Sequence, residues 1–258
     1  MVYHADVCMV HMLVSPTSVT GFFGSDPSAP KYRLVPNFYI LPERKRTVIM
    51  NNMDEIDRLL AQFPLYAEDL GIDRSEPSGR FKWFLASVLF GARISQKIAS
   101  NTYNKFDKHG VNTPEKIIST TWDELIRILD DGGYARYDGV TATKLLNVMR
   151  GLKERYGSLE NLYRQSSNTN DLERRLQEFK GIGAVTTQIF LRELRGQWNV
   201  HPQISDKAKN AAKNLDIDPD KFEGEKLSRI ETALVKLSIM YCKKKKCAEC
   251  PMKEFCRV

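Results

Sequence analysis

The sequence has 258 residues, of which 42% are hydrophobic and 28% charged, with a net charge of +7 and a pI near 9.1. A chain of this length can bury a core without a metal or a disulfide, and no stretch reaches the roughly 18 consecutive apolar residues of a membrane helix. The positive charge suits an anionic partner, with nucleic acid the first candidate, although many basic proteins bind nothing acidic.

Residues 1–50 differ in composition from the rest of the chain. They mix Pro, Gly and Ser with short β-prone runs such as YRLVPNFYIL, which predicts an irregular or partly stranded extension. The first residues, MVYHADVCMVHMLV, carry Asp6 and two histidines and lack a basic leader. They do not resemble a signal peptide, so we expect an intracellular protein.

From residue 54 onward the pattern predicts helices and almost no strands. Thr113 and Asp123 stand where N-caps belong, and Gly157 stands where a helix ends. The sequence therefore predicts an all-α fold of many short helices. Apolar residues recur at helical spacing in MDEIDRLLAQF, GRFKWFLASVLFGARISQKIASNTYNKF, TPEKIISTT, TWDELIRILDDGG, TATKLLNVMRGLKERYG, SLENLYRQ, NDLERRLQEF, AVTTQIFLRELRG, SDKAKNAAKNL and GEKLSRIETALVKLSIMYC.

The stretch LQEFKGIGAVTTQIFL predicts two helices joined by a tight turn. It places Lys180, Gly181, Ile182 and Gly183 in the turn, and Ala184 opens the second helix. Two glycines separated by one residue leave backbone N–H groups uncovered, and such groups at a helix start can bind a phosphate. An ordinary helix–helix turn is the alternative. In a basic chain we interpret the stretch as a helix-hairpin-helix that contacts the DNA backbone without reading sequence.

The chain ends in a cluster of cysteines. In a reducing compartment, clustered cysteines are metal ligands more often than disulfides. All four lie in one short loop, whereas zinc folds usually separate two close pairs by a longer element, so the spacing favours an iron-sulfur cluster. A structural zinc site and unliganded thiols are the alternatives, and Cys8 is left as an ordinary thiol. The ligand candidates are Cys242, Cys247, Cys250 and Cys256, spaced C-x4-C-x2-C-x5-C.

These features resemble the endonuclease III branch of the HhH-GPD DNA glycosylases over about residues 54–258. The stretch FLASVLFGARISQKIASNTYNKF is similar to that family's early core helix and loop, and the hairpin, an Asp-bearing helix and the cysteine loop follow in the family's order. The resemblance implies a six-helix domain at 80–195 and a helical cluster domain built from 51–79 and 196–258. It also implies a 4Fe-4S cluster, although four residues separate the first two cysteines where endonuclease III usually has six. The cluster loop would present Lys243, Lys244, Lys245 and Lys246 to DNA phosphates, unless these are a solvated charge run.

The resemblance implies a monomeric base-excision repair enzyme whose partner is double-stranded DNA with a damaged or mismatched base. The family places its catalytic aspartate at the start of the helix after the hairpin, which is Asp206 here. That position also suits an N-cap, and the two roles are compatible. Lyases of the family carry a lysine where this chain has Val185, so the resemblance implies hydrolysis without strand cleavage. Lys180 and Lys207 are phosphate contacts at best.

The resemblance also suggests a wedge and a base pocket. Arg93 or Gln96 would fill the gap left by the flipped nucleotide, with a solvent-facing helix end as the alternative. Two other functions stay open, a non-catalytic protein that binds DNA lesions or structures on the same scaffold, and a bifunctional glycosylase/lyase with an unorthodox amine. The side chains that could stack on a base, unless they are core residues, are Tyr134, Tyr137, Trp198 and His201.

Overall fold

The computed structural model describes residues 56–257. Within that range the all-α prediction is confirmed, since the only β pairing there is an isolated bridge between Arg195 and Trp198. No helix in this range is long and apolar enough to cross a membrane. The predictions for residues 1–50 and for Cys8 lie outside the described residues.

The helices follow one another with short connections. A helix at residues 56–62 is α1. The others are α2 Tyr66–Asp69, α3 Pro77–Phe90, α4 Gln96–Lys108, α5 Pro114–Ser119, α6 Trp122–Asp131, α7 Asp138–Tyr156, α8 Leu159–Arg164, α9 Thr169–Gln177, α10 Ala184–Arg192, α11 Asp206–Asn214 and α12 Gly224–Met240, with 3₁₀ turns at Pro219–Lys221, Cys242–Lys244 and Cys247–Glu249.

Side-chain caps decide where several helices begin. Thr113 caps α5 as predicted, its hydroxyl accepting a backbone N–H of the first turn. The prediction that Asp123 caps α6 is wrong. Thr121 takes that place, because its hydroxyl accepts from the Glu124 N–H while the Glu124 carboxylate accepts from the Thr121 N–H. This reciprocal capping box satisfies two helix-end donors, which a lone aspartate cannot do. Gly157 ends α7 with a φ of 75°, as predicted.

Apolar side chains collect in two clusters. The large cluster runs from Tyr66 to Val200 and surrounds α3, which is buried on nearly every side. The small cluster combines α1 with α11, α12 and the terminal loop, and it includes Met252, which is 1% exposed. Burial of such side chains is the main stabilising contribution to each cluster. The domain boundaries predicted from the sequence stay a prediction.

A buried carboxylate, that of Glu193, connects the end of α10 to α2 and to α12. Glu193 follows α10 directly and is fully buried. Its oxygens accept from the backbone N–H groups of Tyr66 and Ala67, at 2.9 and 3.0 Å, and from the Thr232 hydroxyl at 3.2 Å. Burial raises the pKa of Glu193, and the neighbouring Arg192 opposes that effect. The network therefore fixes the end of α10 against both α2 and α12.

Candidate functional site

The predicted hairpin lies between α9 and α10. Its turn closes with a bond from the Ile182 N–H to the Phe179 carbonyl at 2.9 Å. Ile182 is 3% exposed, so its side chain anchors the turn in the large cluster and only its backbone is available to a ligand. Lys180 is exposed on the outside of the turn. The turn thus presents backbone groups and one cation to solvent.

Gly181 is required by two independent features of the turn. Its φ is 98°, a left-handed region that other residues rarely adopt. A Cβ there would also lie 2.6 Å from Cδ of Lys144 on α7. Burial lowers the pKa of Lys144, whose Nζ lies 3.4 Å from the Val88 carbonyl. The turn therefore packs directly on the Lys144 stem, which was not singled out from the sequence.

The start of α10 is open to a ligand. Gly183 is the N-cap and has no side chain to cover the first amides of the helix. A Cβ added at Gly183 would meet nothing within 4 Å. Ala184 is exposed, and the Val185 side chain next to it is 60% exposed. Uncovered amides at the positive end of a helix dipole suit an anion such as a phosphate.

The turn at 91–95 brings the wedge candidates to α10. A Cβ on Gly91 would lie only 2.0 Å from the Thr186 hydroxyl of α10, so the Gly91 backbone is in close contact with the Thr186 side chain. Arg93 is exposed in this turn, and Gln96 is exposed as the first residue of α4. The turn that carries Arg93 therefore contacts the hairpin's second helix through Gly91, and Gln96 follows this turn.

Asp206 is the first residue of α11, as the sequence predicts, and its side chain is exposed. The segment before it also touches α10, where the Gln188 amide donates to the Gln203 carbonyl at 3.4 Å. The N-cap Ser205 makes no side-chain cap bond. Thus α10 contacts both the turn that carries Arg93 and the segment that leads to Asp206.

The aromatic candidates do not line one open pocket. Tyr134 is 1% exposed and Trp198 is 5% exposed, with Trp198 stacked on Tyr163 at 4.3 Å and 2° from parallel. Neither ring has a free face for a base, because packing in the large cluster covers both. Tyr137 is half-buried and His201 is exposed. Only these two retain surface that a base could touch in this conformation.

Two cavities lie near the connection between α10 and α11. One has a volume of about 290 Å³ and is lined by residues that include Arg195 and Lys209. The other has a volume of about 400 Å³ and is lined largely by polar residues after α8. His201 borders both, and Asp206 borders neither.

The terminal loop packs on the small cluster. Cys250 is buried, Cys242 and Cys256 are half-buried, and Cys247 is exposed. Burial, followed by the nearness of the other thiols, raises the pKa of Cys242. Four thiolates are the donor set of an iron-sulfur cluster. Among residues 56–257, no three His, Cys, Asp or Glu side chains are already placed as a metal site.

The lysine run on this loop is exposed throughout. Lys245 has a φ of 54°, which turns the chain sharply between the second and third 3₁₀ turns. Lys246 forms an ion pair with Glu249 at 2.8 Å. Its ammonium is thus partly neutralised, unlike a purely solvated cation.

No protein-family model matches the chain, and no curated protein matches it either. Several solved structures are similar to the chain. A crystal structure of the H. pylori 3-methyladenine DNA glycosylase (MagIII) bound to 1,N6-ethenoadenine matches with a TM-score of 0.43 and 15% identity, covering 64% of this chain and 85% of the other. A thermostable thymine-DNA glycosylase matches with a TM-score of 0.46 and 15% identity, covering 83% and 96%. At these values the likeness says nothing about what this chain binds or acts on.

The described residues thus group the sequence candidates in two places. The hairpin turn leads directly into α10. Two other segments contact α10, the turn of Arg93 through Gly91 and the segment before Asp206 through Gln203. The cysteines and the lysine run belong to the loop that follows α12.

Proposed function

We propose that this protein is a DNA glycosylase that removes a damaged or mismatched base from double-stranded DNA as a monomer. One observation carries the proposal: α10 begins at a turn that leaves its first amides uncovered, and it contacts both the Arg93 turn and the segment that leads to Asp206. A DNA backbone held at 180–184 would then stand in a fixed relation to a wedge and to a carboxylate. Such fixed positioning is what a reaction on one nucleotide of a duplex requires.

The proposed reaction is hydrolysis of the N-glycosidic bond of a flipped nucleotide. The bond breaks with its electron pair leaving on the base, and positive charge develops on the sugar. The exposed carboxylate of Asp206 stabilises that charge and accepts a proton from the water that adds to the sugar carbon. The departing base takes up a proton from solvent, protonated Asp206 returns its proton to solvent, and the products are the free base and an abasic site. Arg93 or Gln96 occupies the vacated place in the stack.

We propose that the reaction stops at the abasic site. A lyase needs an amine that attacks the sugar to form a Schiff base. Val185, the second residue of α10, is 60% exposed at the place where the resembling family carries that amine. A valine side chain has no nucleophile, so hydrolysis is the step that this surface supports.

We also propose that the terminal loop holds a 4Fe-4S cluster. The four cysteines lie within residues 242–256, on a loop that packs against the small cluster. The cluster would act by cross-linking the loop and so holding the lysine run in place. Its ligands would be Cys242, Cys247, Cys250 and Cys256.

A non-catalytic DNA-binding protein is the second candidate. It is favoured by one observation, that Asp206 borders neither of the two cavities. In this alternative, the hairpin and the lysine run bind DNA, and Asp206 only helps to begin α11.

The deciding experiment is base release from duplex oligonucleotides that each carry one deaminated, oxidised or alkylated base. Strand breaks are scored before and after hot alkali. Breaks that appear only after alkali identify a hydrolytic glycosylase and name its substrate. Asp206→Asn should then abolish release while leaving DNA affinity intact. Binding without release from any duplex would favour the second candidate.

A further inference from the structure

We propose that Glu231 and Arg195 are positioning residues that set the place of Asp206, an inference that rests on the proposed function. Both side chains are buried, with Glu231 0% and Arg195 2% exposed. Glu231 lies on α12 and Arg195 lies shortly after α10. Neither residue would touch DNA, so their effect on the reaction would pass through the segment at 202–205.

The pair holds this segment at both ends. Nη1 of Arg195 donates to Oε2 of Glu231 at 2.5 Å. Nη2 of Arg195 donates to the Pro202 carbonyl at 2.7 Å, and Oε1 of Glu231 accepts from the Ser205 N–H at 2.9 Å. The chain between these two bonds leads directly into Asp206. Displacement of either partner would therefore loosen the backbone that carries the carboxylate.

The start of α11 depends on this contact more than an ordinary helix start does. Ser205 is the N-cap, but its hydroxyl is buried and makes no hydrogen bond within the described residues. In a capping box, a glutamate of the same helix would accept from the N-cap N–H. Here Glu231 does so from a different helix. The beginning of α11 is thus fixed by α12 and not by its own sequence.

The chemistry of the pair explains why a charge is needed at 231. A carboxylate offers an acceptor to each of its two neighbours, which are both donors. A glutamine has one oxygen and one NH₂ group, so it would direct an N–H either at the Ser205 N–H or at the Arg195 guanidinium. Buried ion pairs contribute little net stability compared with apolar residues. The contribution of this pair is therefore the geometry that it imposes on 202–205.

The test compares Glu231→Gln with Thr232→Val. Thr232 is the next residue on α12 and is fully buried, and its hydroxyl donates to Glu193 and accepts from Nε of Arg192 instead of contacting 202–205. It therefore controls for the loss of a buried hydrogen bond. Hydrogen exchange at the Ser205 amide reports the contact itself. Single-turnover base release and affinity for an uncleaved duplex, both measured well below the melting temperature of each variant, report its consequence.

We expect Glu231→Gln to speed exchange at Ser205 and to slow base release by about 10- to 100-fold with unchanged DNA affinity, as misplacement of a catalytic group does. Thr232→Val should change none of the three. Unchanged exchange in Glu231→Gln, or equal loss of release in both variants, would overturn the inference. If Glu231→Gln does not fold, Arg195→Lys replaces it, because one ammonium cannot span both Glu231 and the Pro202 carbonyl.

Failure of the proposed function would be distinguishable. Wild-type protein that releases no base from any duplex refutes the glycosylase, and with it the catalytic part of this inference. The exchange measurement still decides whether Glu231 holds Ser205. Wild-type release with an unaffected Glu231→Gln variant refutes the inference alone.

Discussion

Gly91 lies so close to Thr186 that no side chain fits between them: a Cβ on Gly91 would stand 2.0 Å from the Thr186 hydroxyl oxygen and 3.0 Å from its Cβ. The φ of Gly91 is −70°, which any residue can adopt, so the constraint is steric. We expect Gly91→Ala to lower the free energy of unfolding by about 1–3 kcal/mol, the cost of overpacking a well-filled contact. Urea unfolding measures this difference.

A double-mutant cycle assigns the effect to this contact. Thr186→Ala removes the nearest atom, so combining it with Gly91→Ala should restore part of the lost stability. The coupling should reach about 0.5–3 kcal/mol, as for other residues in direct contact. Strictly additive effects would show that the turn of Arg93 does not approach α10 in this way.

Val185→Lys should add a covalent step that the wild-type protein lacks. The side chain at 185 is 60% exposed next to the open start of α10. An amine there could attack an abasic sugar if the DNA lies as proposed. We expect borohydride to trap a protein–DNA adduct with Val185→Lys and none with wild type.

Val140→Lys is the matched control for that experiment. Val140 is 75% exposed but lies near the start of α7, so a lysine there gains the same charge at another place. Trapping by both variants would indicate non-specific Schiff-base formation. Trapping by the wild type would reveal another amine and contradict hydrolysis as the only step.

The parts of this molecule that follow local rules could be predicted from its sequence. The sequence predicts the hairpin turn because glycine tolerates backbone conformations such as the φ of 98° that Gly181 adopts. The sequence also predicts the start of α11 at Asp206, because a Ser-Asp pair precedes a helical pattern. Both depend on residues within a few positions of each other, which is the range over which propensity and capping act.

Contacts between distant residues could not be predicted in the same way. Glu231 lies 26 positions from Ser205, and nothing in α12's own pattern distinguishes it from a surface glutamate. The sequence suggests Tyr134 and Trp198 as base-pocket residues because aromatic rings can stack, yet both are buried in the large cluster. Burial is decided by the packing of several helices, which periodicity along one segment does not specify.

The lysine run should contribute to DNA affinity without affecting the sequence that is bound. Replacing Lys243, Lys244 and Lys245 together by alanine should weaken duplex binding and reduce its dependence on salt, by about 0.9 in the log–log slope for each lost phosphate contact. Lys246→Ala should have a smaller effect, because Lys246 is already paired with Glu249. Fluorescence anisotropy at several salt concentrations measures both. Equal salt slopes in all variants would identify a solvated charge run.

Cys250→Ser should abolish the iron-sulfur cluster that we propose. Cys250 is the most buried of the four thiols, at 8% exposed, so no other side chain can easily take its place. Iron and sulfide content and visible absorption should all be lost in the purified variant. Cys8→Ser is the control and should retain them. A colourless wild-type protein with stoichiometric zinc would contradict the cluster.

Asp171 should make the hairpin's first helix sensitive to acid. Its carboxylate accepts from the Ser167 N–H at 3.0 Å and pairs with Arg174 and Arg175. The Ser167 bond, followed by the two guanidinium groups, holds the pKa of Asp171 well below its usual 3.8. Because the unfolded chain binds the proton at a higher pH than the folded protein does, the stabilisation is present above pH 3.8 and is lost as the pH falls towards the folded-state pKa.

Urea unfolding at a series of pH values should therefore show that the wild type is more stable than Asp171→Asn near neutrality. The difference should shrink below pH 3.8. A difference independent of pH would mean that Asp171 acts without its charge.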